Sequence, residues 1–156
     1  MKKLLILMEW ARPVGIAVAY FFAKYLGTDA VSTFHILGPA VVMIMSGSVA
    51  FESLALGTAA SEKVGYRPDR AYQVQSGLNN LATAVAALLI VLFHWGRYAD
   101  ATIVTVMLLF FSFSAVNHLA TAIRDHNLKP VNLLRPFMAL LLLGVLIPPM
   151  ILALRQ

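Results

Sequence analysis

The sequence lacks cysteine and has few charged residues. With no cysteine among its 156 residues, the chain can form no disulfide, no thiolate nucleophile and no cysteine-ligated metal site. Charged residues make up 12% of the chain and apolar residues 60%, whereas a soluble domain is about a quarter charged and about half apolar. A chain of this size has room for one domain, residues 1–156, and lipid is its expected solvent.

The motifs of common enzyme classes are also missing. The chain has no Gly-rich phosphate loop, no serine-nucleophile elbow and no His-Glu-x-x-His helix. The net charge of +5 does not indicate nucleic acid as a partner, because the basic residues are dispersed between apolar runs and suit membrane-flanking anchors.

Five apolar stretches predict an all-α, polytopic membrane helical bundle. They cover residues 4–26, 35–56, 79–95, 101–122 and 132–154, and each is long enough to cross a bilayer as a helix. If the first stretch does not cross, four spans remain. Residues 59–77 form the one long polar interruption, where we expect Asp69 to cap a short surface helix that runs through Gln75.

The distribution of basic residues orients the bundle. Five spans place the two termini on opposite sides of the membrane. One side receives Lys2, Lys3, Lys63, Arg67, Arg70, Arg124 and Lys129, and the other receives Lys24, Arg97 and Arg155. The positive-inside rule therefore predicts a multi-pass protein of the cell (inner) membrane, with its N-terminus in the cytoplasm and its C-terminus outside.

Apart from His35 and His94, the strongly polar residues of the spans fall in the same half of the bilayer, whichever way the bundle is oriented. Polar side chains at membrane depth usually face a bundle interior or a cavity. We expect an inner-half cavity on which five residues converge: Glu52, Asn80, Asn117, His118 and Arg135.

Other polar residues of the spans leave alternatives open. Glu9 and Arg12 are three residues apart, so they either pair on one helix face or sit separately at the headgroup level. His35 and His94 could meet at the outer rim, but interfacial positions suit both. His94 and His118 lie at opposite ends of neighbouring spans and cannot share a haem iron. We expect no cofactor and no metal, since Glu52 and His118 alone make a thin ligand set.

The central part of the chain resembles a group of small bacterial integral membrane proteins classed only as domains of unknown function. The residues that carry the resemblance lie in FESLALGTAASEKVGYRPDRAYQVQSGLNNLA and in NHLATAIRDHN, within residues 40–135. The matching positions are Glu52, Gln75, Gly77, Asn80, His118 and Asn132. The resemblance implies the membrane architecture and the choice of polar residues, and it implies no reaction.

Two functions fit these observations. In the first, an amphipathic small molecule (a lipid, quinone or isoprenoid) places its head against the polar residues and its tail between the helices. An enzymatic variant would use Glu52 and His118 as proton donor and acceptor. In the second, the protein is an accessory subunit or homo-oligomer, in which Glu52 pairs with His118 or Arg135 as a structural clasp and Gly47 offers a surface for close helix approach.

Overall fold

The computed structural model describes residues 2–156, which form six α-helices. They are α1 Lys2–Leu26, α2 Ala30–Ala55, α3 Gly57–Val64, α4 Arg70–Leu92, α5 Arg97–Arg124 and α6 Pro130–Arg155. All except α3 are long and apolar enough to cross a membrane. The predicted all-α membrane bundle with five spans is therefore confirmed.

The central helix is α2. In its most apolar stretch 56% of the residues are buried, against 22–28% in the other four spans. It packs against α1, α4, α5 and α6, and its residues Phe34, Leu37 and Val41 have almost no exposed surface. A helix that is apolar all round needs neighbours on all sides. The four outer spans supply them and keep large apolar side chains on their outward faces.

The two ends of the bundle differ in their polar content. The α3 end holds α3, the start of α4 and the α5–α6 connector, and the opposite end holds the α1–α2 and α4–α5 connectors. At the opposite end, Asp29 caps α2 by accepting a hydrogen bond from the Ser32 N–H at 2.7 Å. This cap starts the helix at Ala30, before the predicted start of the span at residue 35.

The polar stretch after α2 folds differently from the prediction. The short helix is α3, and not the segment from Asp69 to Gln75. Asp69 does cap a helix, since its carboxylate accepts a hydrogen bond from the Tyr72 N–H at 3.1 Å, but that helix is α4, which continues to Leu92. The polar first turns of α4 stay helical because Gln73 and Gly77 are buried against the protein. The third span therefore begins at Arg70 and not at residue 79.

The α5–α6 connector holds the end of α3. The Nδ2 atoms of Asn127 and Asn132 donate to the Val64 carbonyl at 2.9 and 3.1 Å, and Lys129 Nζ donates to the Glu62 carbonyl at 2.6 Å. The last carbonyls of a helix have no partner within that helix. These side chains supply the missing donors and keep α3 against the start of α6.

Candidate functional site

A cluster of charged side chains joins α1, α2 and α3. Arg12 Nη2 lies 2.9 Å from Glu52 Oε2, and Arg12 Nε donates to Ser48 Oγ at 2.8 Å. Arg12 Nη1 lies 3.4 Å from Glu9 Oε2, so Glu9 and Arg12 do pair. Lys63 from α3 forms a close ion pair with Glu9 and lies 3.5 Å from Glu52 Oε1. The four charged groups balance one another.

Helix geometry explains why these residues meet. Ser48 and Glu52 are four apart on α2, and Glu9 and Arg12 are three apart on α1, so each pair shares one helix face. The guanidinium of Arg12 therefore reaches both α2 groups at once. Arg12 and Glu52 are only 6% and 5% exposed, so their charges are stabilised mainly by each other and by the polar groups around them.

A cavity of about 410 Å³ opens beside this cluster, between α1, α2, α5 and α6. Its walls are mostly apolar and include Trp10, Pro13, Met45, Phe111, Phe137 and Leu142. Its charged groups, Glu9, Arg12 and Arg135, come from the parts of α1 and α6 that lie toward the α3 end. The cavity thus has a charged end and a long apolar body.

The cavity has a mouth between α1 and α6. Trp10 and Phe137 line the cavity and are nevertheless 68% and 67% exposed. These two rings lie on α1 and α6, which form its rim. The cavity is therefore open to the outside of the bundle between these two helices.

Arg135 is the cation of the cavity that has no partner. Its Nε atom is buried and makes no hydrogen bond, and none of its guanidinium nitrogens lies within 4.0 Å of a carboxylate oxygen of the described residues. A buried donor without a partner costs roughly 1–3 kcal/mol, and more when it carries charge. Arg135 thus has a buried donor for which the described residues supply no acceptor.

A second polar network lies next to Arg135. His118 Nδ1 is 3.0 Å from Asn132 Oδ1 and 3.0 Å from the Tyr66 hydroxyl, and the Tyr66 and His118 rings are stacked. Because Asn132 donates both to Val64 and to Asn127, its oxygen faces His118, whose Nδ1 then carries the proton. This network ties α5 and α6 to Tyr66, two residues after the end of α3.

The structure brings some of the five predicted site residues together and separates the others. Arg135 lines the cavity beside Arg12, which binds Glu52, and His118 is bonded to Asn132, one turn before Arg135 on α6. Asn80 is buried elsewhere, against α2, and donates to the carbonyl of Ser76 at 2.9 Å. Asn117 is exposed on the outside of α5.

Sequence reasoning identified polar residues of the site but not the residues with which they pair. Glu52 pairs with Arg12 and Lys63, and not with His118 or Arg135. Arg12 could have been found, because a charge inside an apolar run is conspicuous. Lys63 and Tyr66 carry no such signal, since they stand in a polar stretch and reach the site only because α3 folds back across the bundle.

Residues 28–156 match a protein family described as "Family of unknown function (DUF6790)". The chain belongs to this family. The resemblance to an uncharacterised family is thereby confirmed, over a longer part of the chain than residues 40–135. No curated protein and no solved structure matches the chain.

The part of the chain that matches DUF6790 includes most of the site. Glu52, Lys63 and Arg135 lie inside the match, whereas Glu9 and Arg12 lie on α1, outside it. The matched part thus contains four of the five spans. The remaining span, α1, lies outside the match and forms one wall of the cavity. In this member of DUF6790, α1 supplies both the counterion of Glu52 and the tryptophan at the mouth.

A third polar cluster lies at the opposite end of the bundle. His35 Nδ1 is 2.9 Å from Asp100 Oδ2, and Asp100 is fully buried. The rings of His35 and His94 are 5.8 Å apart, so the two histidines do meet. Asp100 was missed because it reads as a connector residue, although it lies in the first turn of α5. This cluster joins α2, α5 and the end of α4.

Proposed function

We propose that this protein binds an amphipathic small molecule in the cavity between α1, α2, α5 and α6. The observation that carries the proposal is the form of that cavity: a mostly apolar body of about 410 Å³ with charged groups at one end. Small-molecule sites are typically apolar clefts of about 300–1,000 Å³ with a few polar groups that orient the ligand. The head of the ligand lies at Arg12 and Arg135, and its tail lies along α6.

The geometry favours binding over catalysis by Glu52 and His118. Glu52 is held by Arg12 and Lys63, and His118 is held by Asn132 and Tyr66. A proton donor and acceptor would both have to reach the reacting atoms of one ligand. These two residues belong to separate networks, and neither lines the cavity.

The alternative function is that of an accessory subunit. Gly47, one of the residues that supported it, has another explanation. A Cβ atom built on Gly47 would lie 4.0 Å from Ala84 Cβ, so the helix that approaches this glycine is α4 of the same chain. Gly47 therefore has a role within the bundle and does not by itself indicate a partner protein.

The bundle resides in the cell membrane with its α3 end in the cytoplasm. This orientation is supported by Lys63, Arg67, Arg70, Arg124 and Lys129, which all lie at or near the α3 end. The opposite end carries fewer basic residues, with Lys24 and Arg97 near its connectors. Basic residues are retained on the cytoplasmic side of membrane proteins.

Native mass spectrometry of protein released from mild detergent tests the proposal. We expect a small molecule of defined mass to stay bound. Ser114 lines the cavity, whereas Ser112 of the same helix does not. Ser114→Leu should fill the cavity and lose the bound mass, and Ser112→Leu should retain it.

Two outcomes would overturn the proposal. If Ser114→Leu kept the bound mass as well as Ser112→Leu does, the molecule would lie elsewhere. If the protein carried a second polypeptide or formed a clean oligomer with nothing bound, the accessory role would be favoured and Glu52 would be a helix clasp.

A further inference from the structure

We infer that the amphiphile is a single-chain acid whose anionic head binds Arg135. The inference rests on the proposed function and specifies the chemical class of its ligand. It excludes neutral quinones and isoprenoid alcohols as the preferred ligand. The acids that it includes share a head of negatively charged oxygens, which is either a carboxylate or a phosphate.

The first step is a count of charges around the cavity. Glu9 and Glu52 contribute −2, and Arg12, Lys63 and Arg135 contribute +3, which leaves +1. The two carboxylates form their ion pairs with Arg12 and Lys63. The excess charge is therefore that of Arg135, the cation with no ion pair among residues 2–156 in this structure.

The second step is the cost of leaving this charge alone. A charged side chain inside a membrane bundle is expensive unless it is paired, and such residues usually mark a ligand or ion site. Arg135 lines the cavity and its Nε is buried without a hydrogen bond. A guanidinium presents N–H donors in a planar fork that fits the oxygens of a carboxylate or phosphate. An acidic head would provide both the missing charge and the missing acceptor.

The third step concerns the tail. From Arg135 to Leu142 the wall of the cavity extends about 10 Å along α6 at 1.5 Å per residue, and this stretch includes Met138 and Leu141. A volume of about 410 Å³ is at the lower end of the range for small-molecule sites, which suits one hydrocarbon chain better than two. The remainder of a long tail can leave through the mouth at Trp10.

The chain offers a specific reporter for this test. It contains two tryptophans: Trp10 lines the cavity, and Trp95 follows α4 at the opposite end of the bundle. In a Trp95→Phe background, fluorescence reports the cavity alone. In a Trp10→Phe background, it reports a position away from the cavity and measures non-specific partition into the detergent micelle.

The probes are three brominated amphiphiles of the same chain length: a fatty acid, its alcohol and its alkyl phosphate. At alkaline pH we expect saturable quenching of Trp10 by at least one of the two acids, with an apparent affinity about tenfold higher than that of the alcohol, which corresponds to ~1.4 kcal/mol. Whichever acid binds more tightly identifies the head as carboxylate or phosphate. Quenching of Trp95 should not saturate.

Substitution of Arg135 completes the test. Arg135→Gln should reduce the affinity for the acid to that for the alcohol, and Arg135→Lys, which keeps the charge without the fork, should restore part of it. The variant should fold, because it removes an unpaired charge, and its thermal midpoint without probe should not fall. If Arg135→Gln does not fold, two results still test the inference. They are the comparison of acid with alcohol in the unsubstituted protein and the affinities of the Arg135→Lys variant.

The outcomes separate the inference from the proposed function. If acid and alcohol quench Trp10 equally and Arg135→Gln changes neither, the cavity binds amphiphiles but the acidic head is wrong. If none of the three probes gives saturable quenching of Trp10, both the inference and the proposed function fail.

Discussion

Arg12 connects α1 to the polar groups of α2. Its guanidinium contacts Glu52, Ser48 and Glu9. Without it, Lys63, at 3.5 Å, would be the only ion-pair partner that the described residues give Glu52. A buried charge that loses its partner is strongly destabilising, whereas removal of both charges is often tolerated. The energetic role of Arg12 is therefore tied to the presence of Glu52.

Replacement of Arg12 by methionine tests this coupling. We expect Arg12→Met to lower the free energy of unfolding in detergent by about 2 kcal/mol, because Glu52 stays buried with less compensation. Arg12→Met combined with Glu52→Met should recover most of the loss. Arg124→Met, which breaks the exposed pair between Arg124 and Asp125, should leave the thermal midpoint unchanged. A double variant as unstable as the sum of the two single variants would contradict the coupling.

At the scale of helices, α2 and α4 form the most extensive contact in the bundle. Gly77 marks a point of close approach: a Cβ atom built there would lie 2.7 Å from Leu54 Cγ and 3.2 Å from Ser53 Cβ. Small residues let membrane helices approach closely and gain packing contacts. Gly77 therefore determines how near α4 can lie to the end of α2, where Glu52 is located.

Replacement of Gly77 by alanine should weaken this contact. We expect a loss of about 1–3 kcal/mol, since the added methyl group forces Leu54 or the α4 backbone to shift. The matched control is Gly144→Ala on α6, where a Cβ atom would meet no atom of the described residues within 4 Å. Thermal midpoints of the two variants in the same detergent provide the comparison. Equal midpoints would show that α4 does not depend on the close approach.

At the scale of the whole molecule, the five spans place the α1–α2 and α5–α6 connectors at opposite ends. The proposed orientation puts Thr28 outside the cell and Asp125 in the cytoplasm. Because the chain has no cysteine, a single introduced cysteine can show on which side of the membrane its position lies, without background labelling of native thiols.

Thiol labelling in intact cells tests the orientation. We expect Thr28→Cys to react with a membrane-impermeant maleimide, and Asp125→Cys to react only after the membrane is permeabilised. The reverse pattern would invert the orientation while leaving five spans intact. Labelling of both positions from outside would contradict the number of spans between them.

The sequence by itself determined the solvent of the protein and predicted five spans, with four left open as the alternative. Hydropathy is a local property, so an apolar run indicates a membrane helix wherever the rest of the chain lies. The same logic identified Glu52, His118 and Arg135 as unusual, since polar residues at membrane depth are rare. It placed the start of α4 too late, because Asp69 caps a polar extension of the helix that hydropathy does not register.

Only the tertiary structure decided which polar residues meet. The contact of Arg12 with Glu52 depends on how α1 is rotated and aligned against α2. The contacts of Lys63 with Glu9 and Glu52 depend on the path of α3. Helical spacing gives the face on which a residue lies but not the helix which that face contacts. For this reason the sequence placed Asn80 and Asn117 with the others, whereas packing put Asn80 against α2 and left Asn117 outside.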